Sequence, residues 1–165
     1  MSPHEFARLV DAHGSPLVLY ARQWCDAPED VVQDAYMKLV AQRRPPENPA
    51  AWLYGVVRNA ARQASRSDRR RRRHEAAAAG RAPAWLAAPD GSAIDAGEAA
   101  AALRSLPIEQ REVIVAHLWG GLTFEQVGAL AGCSSSTAHR LYGAGLSALR
   151  ERLGDRCPDK PLIPR

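Results

Sequence analysis

Arg58, Arg62 and Arg66 recur at every fourth position, with Asn59 and Gln63 between them, and run into the unbroken Arg69–Arg73 cluster. Residues spaced by four lie on one face of a helix. Guanidinium groups grip phosphate oxygens through paired, charge-assisted hydrogen bonds. Trp52 and Tyr54 stand near the start of the same segment and offer aromatic faces to unstacked bases. A charge run is often only a solvated face, but this spacing of arginines beside aromatics is the footprint of a helix that tracks a nucleic-acid backbone. Catalytic patterns are missing. The chain has no P-loop, no HExxH, no GxSxG and no CxxC pair, and its carboxylates fall mostly at capping or surface-pairing positions. An enzyme is not expected.

A second constellation spans Thr123–Leu153. Thr123 can cap a helix and Gln126 completes a capping box. Phe124, Val127, Leu130 and Ala131 recur at helical spacing, and Gly132 is placed to end the helix in a left-handed conformation. Ser134 can cap a second helix whose inward face is Ala138, Leu141, Tyr142, Gly145 and Leu149. Two helices joined by such a turn are either an ordinary helical hairpin or a helix-turn-helix that reads a DNA major groove. The DNA-reading version is favoured.

Composition supports this direction. The chain has 165 residues, enough for one domain or two small ones, and 46% are hydrophobic. Lys and Arg number 22 against 18 Asp and Glu, a net charge of only +4, so the clustering of arginine matters more than the total. No apolar run approaches the roughly 20 residues of a membrane span, and MSPHEFARLV lacks a signal peptide's pattern. A cytoplasmic protein without membrane insertion is expected. Cys25, Cys133 and Cys157 are odd in number and share no metal-ligand spacing, and the histidines form no ligand pair. Reduced structural thiols are the default, with no metal and no cofactor.

Nearly all of the chain reads as helix. Residues 3 to 24 carry one helical pattern interrupted at Gly14-Ser15-Pro16, which is either two helices or one kinked helix. Asp26, Pro28 and Glu29 form a start signal for a helix over about 27 to 42 with a buried stripe of Val32, Ala35, Tyr36 and Leu39. Its other side, including Gln33, Asp34, Met37 and Lys38, reads from spacing as solvated surface. A proline-stiffened loop, Arg43–Asn48, precedes a helix from 49 to about 70 that Asn48 caps, with Leu53, Val56, Val57, Ala60 and Ala64 inward and the arginines opposite. Residues 74–97 are rich in Ala, Gly and Pro and read as a flexible linker, although Trp85 and Leu86 are odd for a free one. A second domain follows, in which Val113, Ile114 and Leu118 form a helical stripe. The tail 155–165 is expected to be disordered.

These motifs, in this order, resemble the extracytoplasmic-function (ECF) sigma factors of the sigma-70 family. PEDVVQDAYMKLV and PAAWLYGVVRNAAR are similar to two helices of the family's region 2. LPIEQREVIVAHLWGGLTFEQVGALAGCSSSTAHRLYGAGLSALRERL is similar to the family's promoter-reading region 4. The resemblance covers nearly all of residues 5 to 153 outside the linker. It implies an all-α fold of two small helical domains, a region 2-like bundle (1–73) and a region 4-like helix-turn-helix (98–154), joined by the 74–97 linker. It implies a promoter-directing initiation factor whose partners are promoter DNA, core RNA polymerase (the largest-subunit clamp helices and the flap) and an anti-sigma factor.

Residue by residue, the resemblance makes Gln33, Asp34, Met37 and Lys38 polymerase contacts, overturning the solvated reading of that face. It assigns Arg43, Arg44, Asn48, Trp52, Arg58, Asn59, Arg62 and Arg66 to the minus-10 element, with the loop holding an unstacked base. It assigns Ser135, Ser136, Thr137, His139, Arg140 and Gly143 to the minus-35 duplex. Arg140 is the candidate for a bidentate guanine contact. Gly143, Ala144 and Gly145 stand where relatives usually carry Arg, which predicts a weak hold on phosphate and a locally soft helix. Val40 stands near where many relatives have Trp. Two rival readings are a stand-alone helix-turn-helix regulator and a sigma mimic that titrates an anti-sigma factor. The PEDVVQDAY helix argues against the first and the arginines against the second.

Overall fold

The computed structural model describes the backbone of residues 1–74 and 96–153 and the side chains of 1–67 and 99–153. Residues 75–95 and 154–165, and with them the linker, Trp85, Leu86, Cys157 and the tail, lie outside the described residues. The regular structure of the described residues is all helical.

The first helix, α1, runs unbroken over Pro3–Ala21. Ser2 and Glu5 close a capping box at its start, the Ser2 N–H donating to Glu5 Oε2 at 2.6 Å and the Glu5 N–H to Ser2 Oγ at 3.2 Å. Pro16 sits inside the helix and denies one i→i−4 hydrogen bond without dividing it. The neighbouring Leu17, Tyr20 and Ala21 are fully buried and hold the turn in place.

Helix α2 spans Pro28–Val40. Its N-cap is Ala27 rather than the expected Asp26. The residue before a proline is pushed out of the helical region, and Ala27 duly has φ −120° and ψ 65°, leaving Asp26 one position too early. Glu29 instead pairs with Arg22 at 2.6 Å. Val32, Ala35, Tyr36 and Leu39 are buried as the spacing predicts. Helix α3, Pro49–His74, begins where Asn48 Oδ1 accepts the Ala51 N–H at 2.9 Å. Leu53, Tyr54, Val57 and Ala61 are its fully buried residues. Val56, Ala60 and Ala64 are only half-buried, so the inward face is rotated from the predicted one toward Tyr54.

In the second half, α4 (Ala96–Ser105) and α5 (Ile108–Ile114) lead into a π-helical turn, Val115–Trp119. The Gly120 N–H bonds Val115 O at 3.0 Å and so closes that wider turn. Val113, Ile114, Val115 and Ala116 are all fully buried. The segment is therefore interior on every side rather than carrying the predicted amphipathic stripe. Helix α7 covers one side and α1 lies against the π turn on another. Helices α6 (Phe124–Ala131) and α7 (Ser135–Leu153) meet at Gly132, whose φ of 77° is the left-handed conformation expected of it.

The two halves do not stand apart in this structure. One continuous core cluster joins Leu17, Tyr20, Leu53 and Tyr54 of the first to Val113, Ile114, Val115 and Ala116 of the second.

Candidate nucleic-acid interface

The cationic track on α3 is divided by this packing. Asn59, Arg62 and Arg66 are exposed. Arg58 is not: its side chain is 16% exposed and its guanidinium holds Glu112 of α5, Nε to Oε1 at 2.5 Å and Nη2 to Oε2 at 3.3 Å. Arg58 follows Tyr54 by one helical turn, so the rotation that buries Tyr54 carries Arg58 into the contact between the halves, while Arg62 lies one turn further along and clears it. This corrects the expectation that the arginines share one open face. The Arg69–Arg73 cluster continues the α3 backbone, and its side chains lie outside the described residues.

Glu112 is the centre of this contact and no spacing in the sequence marks it. It is 5% exposed, and Tyr20 Oη donates to its Oε1 at 2.7 Å. Taking two ions out of water costs on the order of several kcal/mol each, and only good geometry with further hydrogen bonds offsets it. The two-pronged Arg58 contact and the Tyr20 hydroxyl supply that geometry. Burial opposes the charge on Arg58, but the hydrogen bond and attraction of Glu112 prevail and hold the guanidinium above its ordinary value. Burial, and then the Glu112 charge, push the Tyr20 phenol far above the ordinary tyrosine range. Tyr20 also packs edge-on to Trp24 and Tyr54, with ring centroids 4.9 and 5.0 Å apart.

At the start of α3, Arg43 and Arg44 are exposed in the loop and Trp52 is half-buried one turn into the helix. Asn48 is exposed, but its side-chain oxygen is occupied by the cap. The loop arginines and Arg62 and Arg66 are thus open to solvent, while Arg58 is held by Glu112.

The second candidate surface is the front half of α7. Thr123 and Gln126 close the predicted capping box on α6, with Thr123 N to Gln126 Oε1 at 2.9 Å and Gln126 N to Thr123 Oγ1 at 3.3 Å. Ser134 Oγ accepts the Thr137 N–H at 3.2 Å and caps α7. Ser135, Ser136, His139, Arg140 and Gly143 are exposed, and Thr137 is half-buried with its hydroxyl 2.9 Å from Ser134 Oγ. Behind them, Phe124 stacks on His117 at 4.1 Å and meets Tyr142 and His139 edge-on at 5.5 and 4.9 Å. His117 Nδ1 donates to Leu122 O at 2.7 Å, tying the π turn to the segment that leads into α6. The turn therefore presents α7 on an aromatic base, with Ala138 and Gly145 buried on its inner side. Gly145 is a packing requirement as well as a helix-weakening residue, because a Cβ there would lie 2.6 Å from Ile114 Cδ1.

A third surface is on α2. Gln33, Asp34, Met37 and Lys38 are all exposed and spaced to share one side, and Met37 and Val40 are 64% and 58% exposed. Among the described residues no group of three or more His, Cys, Asp or Glu is placed to hold a metal ion, and no helix is long and apolar enough to cross a membrane.

Comparison with known proteins identifies the family. Residues 9–71 match the family model Sigma-70 region 2, and residues 102–151 match Sigma-70, region 4. The chain is 30% identical over 130 residues to RNA polymerase sigma factor CarQ of Myxococcus xanthus, covering 77% of this chain and 75% of that protein. It is 32% identical over 116 residues to ECF RNA polymerase sigma factor EcfG of Rhodopseudomonas palustris, covering 68% and 63% respectively. Among solved structures it is similar to the sigma factor RpoE from Bartonella quintana, in complex with the anti-sigma factor NepR. The TM-score is 0.74 and the identity 27%, over 91% of this chain and 94% of that one. CnrH, in complex with the cytosolic domain of CnrY, shares the fold at TM-score 0.57 and 22% identity, over 91% and 88% of the two chains. With both conserved regions matched in order and a curated relative aligned over three quarters of its length, the chain belongs to the ECF group of the sigma-70 family of transcription initiation factors.

Proposed function

We propose that residues 1–73 and 98–154 act as two heads on one promoter. In this reading the α2 side bearing Gln33, Asp34, Met37 and Lys38 docks on the clamp helices of the polymerase largest subunit, and the second head meets the flap. The Arg43–Asn48 loop, Trp52, Asn59, Arg62 and Arg66 engage the melted minus-10 element. Ser135, Ser136, Thr137, His139, Arg140 and Gly143 face the minus-35 duplex. Arg58 joins the minus-10 surface only when Glu112 releases it. The chain brings no catalysis of its own; it positions the polymerase in the cytoplasm. The anti-sigma complex of the RpoE relative supports an anti-sigma partner here too.

The observation that carries the reading is the exposure of two distinct DNA-type surfaces on one chain, arginines on α3 and the front of α7. A melted element needs a cationic track beside an aromatic platform, and a duplex element needs a helix that can enter the major groove. Neither a lone helix-turn-helix regulator nor a titrating mimic needs both.

Run-off transcription with purified core polymerase is the test. Added chain is expected to start transcripts from a cognate promoter. Arg140→Ala is expected to reduce discrimination between minus-35 variants by roughly 1–3 kcal/mol, the size of one bidentate base contact, with core affinity unchanged. No transcript from any cognate promoter would end the initiation reading, and a loss of core affinity in the Arg140 variant would show that the surfaces are misassigned.

A further inference from the structure

We propose that Glu112 is an internal competitor for DNA phosphate: by holding Arg58 it locks the two heads together, and the lock must open before Arg58 can serve the minus-10 surface. The inference rests on the proposed promoter-binding reading and adds a regulatory contact within the chain.

The chemistry of exchange is direct. A carboxylate and a phosphate each offer two oxygens to the planar guanidinium fork. In the closed arrangement both oxygens of Glu112 take Arg58, through contacts of 2.5 and 3.3 Å, and the Tyr20 hydroxyl adds a third hydrogen bond at 2.7 Å. Arg58 and Glu112 come from opposite heads, 54 positions apart in the chain. Arg58 therefore cannot reach a phosphate while this contact stands, and leaving it without an acceptor in a buried site is costly. A phosphate that takes Arg58 leaves Glu112 buried with only the Tyr20 hydroxyl and its charge uncompensated, which drives the second head away. Phosphate engagement and head separation are thus coupled, each favouring the other equally.

The contact around the pair is built for close but separable packing. Gly120 of the second head lies against Tyr54 of the first so closely that a Cβ would stand 2.6 Å from the Tyr54 hydroxyl oxygen. That hydroxyl is buried with no hydrogen-bond partner among the described residues. Next to it Trp119 remains 44% exposed, beside an open hollow that it lines with Gly14, Pro16 and Leu19 of α1. A permanently fused core would have sealed both.

The test uses the full chain without polymerase. Small-angle scattering reports the maximum dimension, and fluorescence anisotropy reports affinity for a short fluorescent single-stranded DNA. Wild type is expected to be compact. Glu112→Gln is expected to be longer and to bind the oligonucleotide at least about fivefold more tightly, the low end of typical site–site coupling. Arg58→Gln is expected to lengthen the chain without any gain in binding. The double exchange, Arg58→Glu with Glu112→Arg, is expected to restore compactness. Circular dichroism checks that each variant is folded. If Glu112→Gln does not fold, Tyr20→Phe, which removes only the third hydrogen bond, must shift both readouts in the same direction. The proposal fails if the wild type is already as long as the Glu112 variant. It also fails if that variant stays compact, or if it lengthens with no gain in DNA affinity. Failure of run-off transcription by the wild type would sink the initiation reading while leaving these polymerase-free readouts intact.

Discussion

Gly143 and Gly145 lie two positions apart on α7 and meet opposite surroundings. A Cβ on Gly143 would meet nothing within 4 Å, whereas one on Gly145 would stand 2.6 Å from Ile114 Cδ1 and 3.2 Å from Gln110 Cβ. Ile114 is fully buried and has little room to yield. Gly143→Ala should therefore stabilise the chain by about 0.5–1 kcal/mol through helix propensity, raising Tm by roughly 2–4 °C per kcal/mol for a chain of this size. Gly145→Ala should destabilise it by about 1–3 kcal/mol through overpacking. Thermal unfolding of the two single variants checks the pair, and shifts of the same sign would mean that α5 and α7 are not packed this closely. Arg58 shows the same dependence on surroundings. Its type and spacing match those of Arg62, yet a buried carboxylate claims one and solvent the other.

Caps decide where these helices begin, and they act over three or four residues. The Thr123–Gln126 box starts a helix of only eight residues, so one lost cap is a large share of its local stability. Thr123→Ala is expected to cost about 0.5–2 kcal/mol and to raise amide exchange across Phe124–Ala131 more than across α2. Uniform exchange changes in both helices would show that the cap acts globally rather than on α6. The boxes at Ser2 and Thr123 and the Asn48 cap are legible because every participant is local. The start of α2 departs from its local signal because Pro28 acts on the residue before it, making Ala27 rather than Asp26 the N-cap. The π turn at Val115–Trp119 had no comparable local signal. It forms where a fully interior segment must satisfy α7 and the first head at once.

At the scale of the molecule, tyrosine burial makes folding sensitive to alkali. Burial raises the phenol of Tyr36 from 10.0 to about 12 and pushes those of Tyr20 and Tyr54 higher still. The partly buried Tyr142 is raised too. Unfolded tyrosines ionise near pH 10, so the unfolded chain sheds protons that the folded chain keeps. The stabilisation is full below about pH 10 and is lost as pH rises toward 12 and beyond. In an alkaline titration, tyrosinate absorbance near 295 nm should stay low past pH 10 and then rise together with the loss of helical circular dichroism. Ordinary titration near pH 10 with helix content intact would contradict the packing of Tyr20 and Tyr54 between the heads.

The amino-acid sequence alone determined what depends on near neighbours. It specified the all-helical class, most caps, the left-handed Gly132, the buried stripe of α2 and the order of motifs that marks the family, because helical period and cap chemistry act within a few positions. Only the tertiary structure decided the rotation of α3 that brings Tyr54 inward, the fit of Gly120 against it, and the burial of Arg58 with Glu112 and Tyr20. Those contacts join residues tens of positions apart. An arginine's local sequence specifies its charge and its helical face, but whether that charge meets solvent or a carboxylate is settled by what packs against the face.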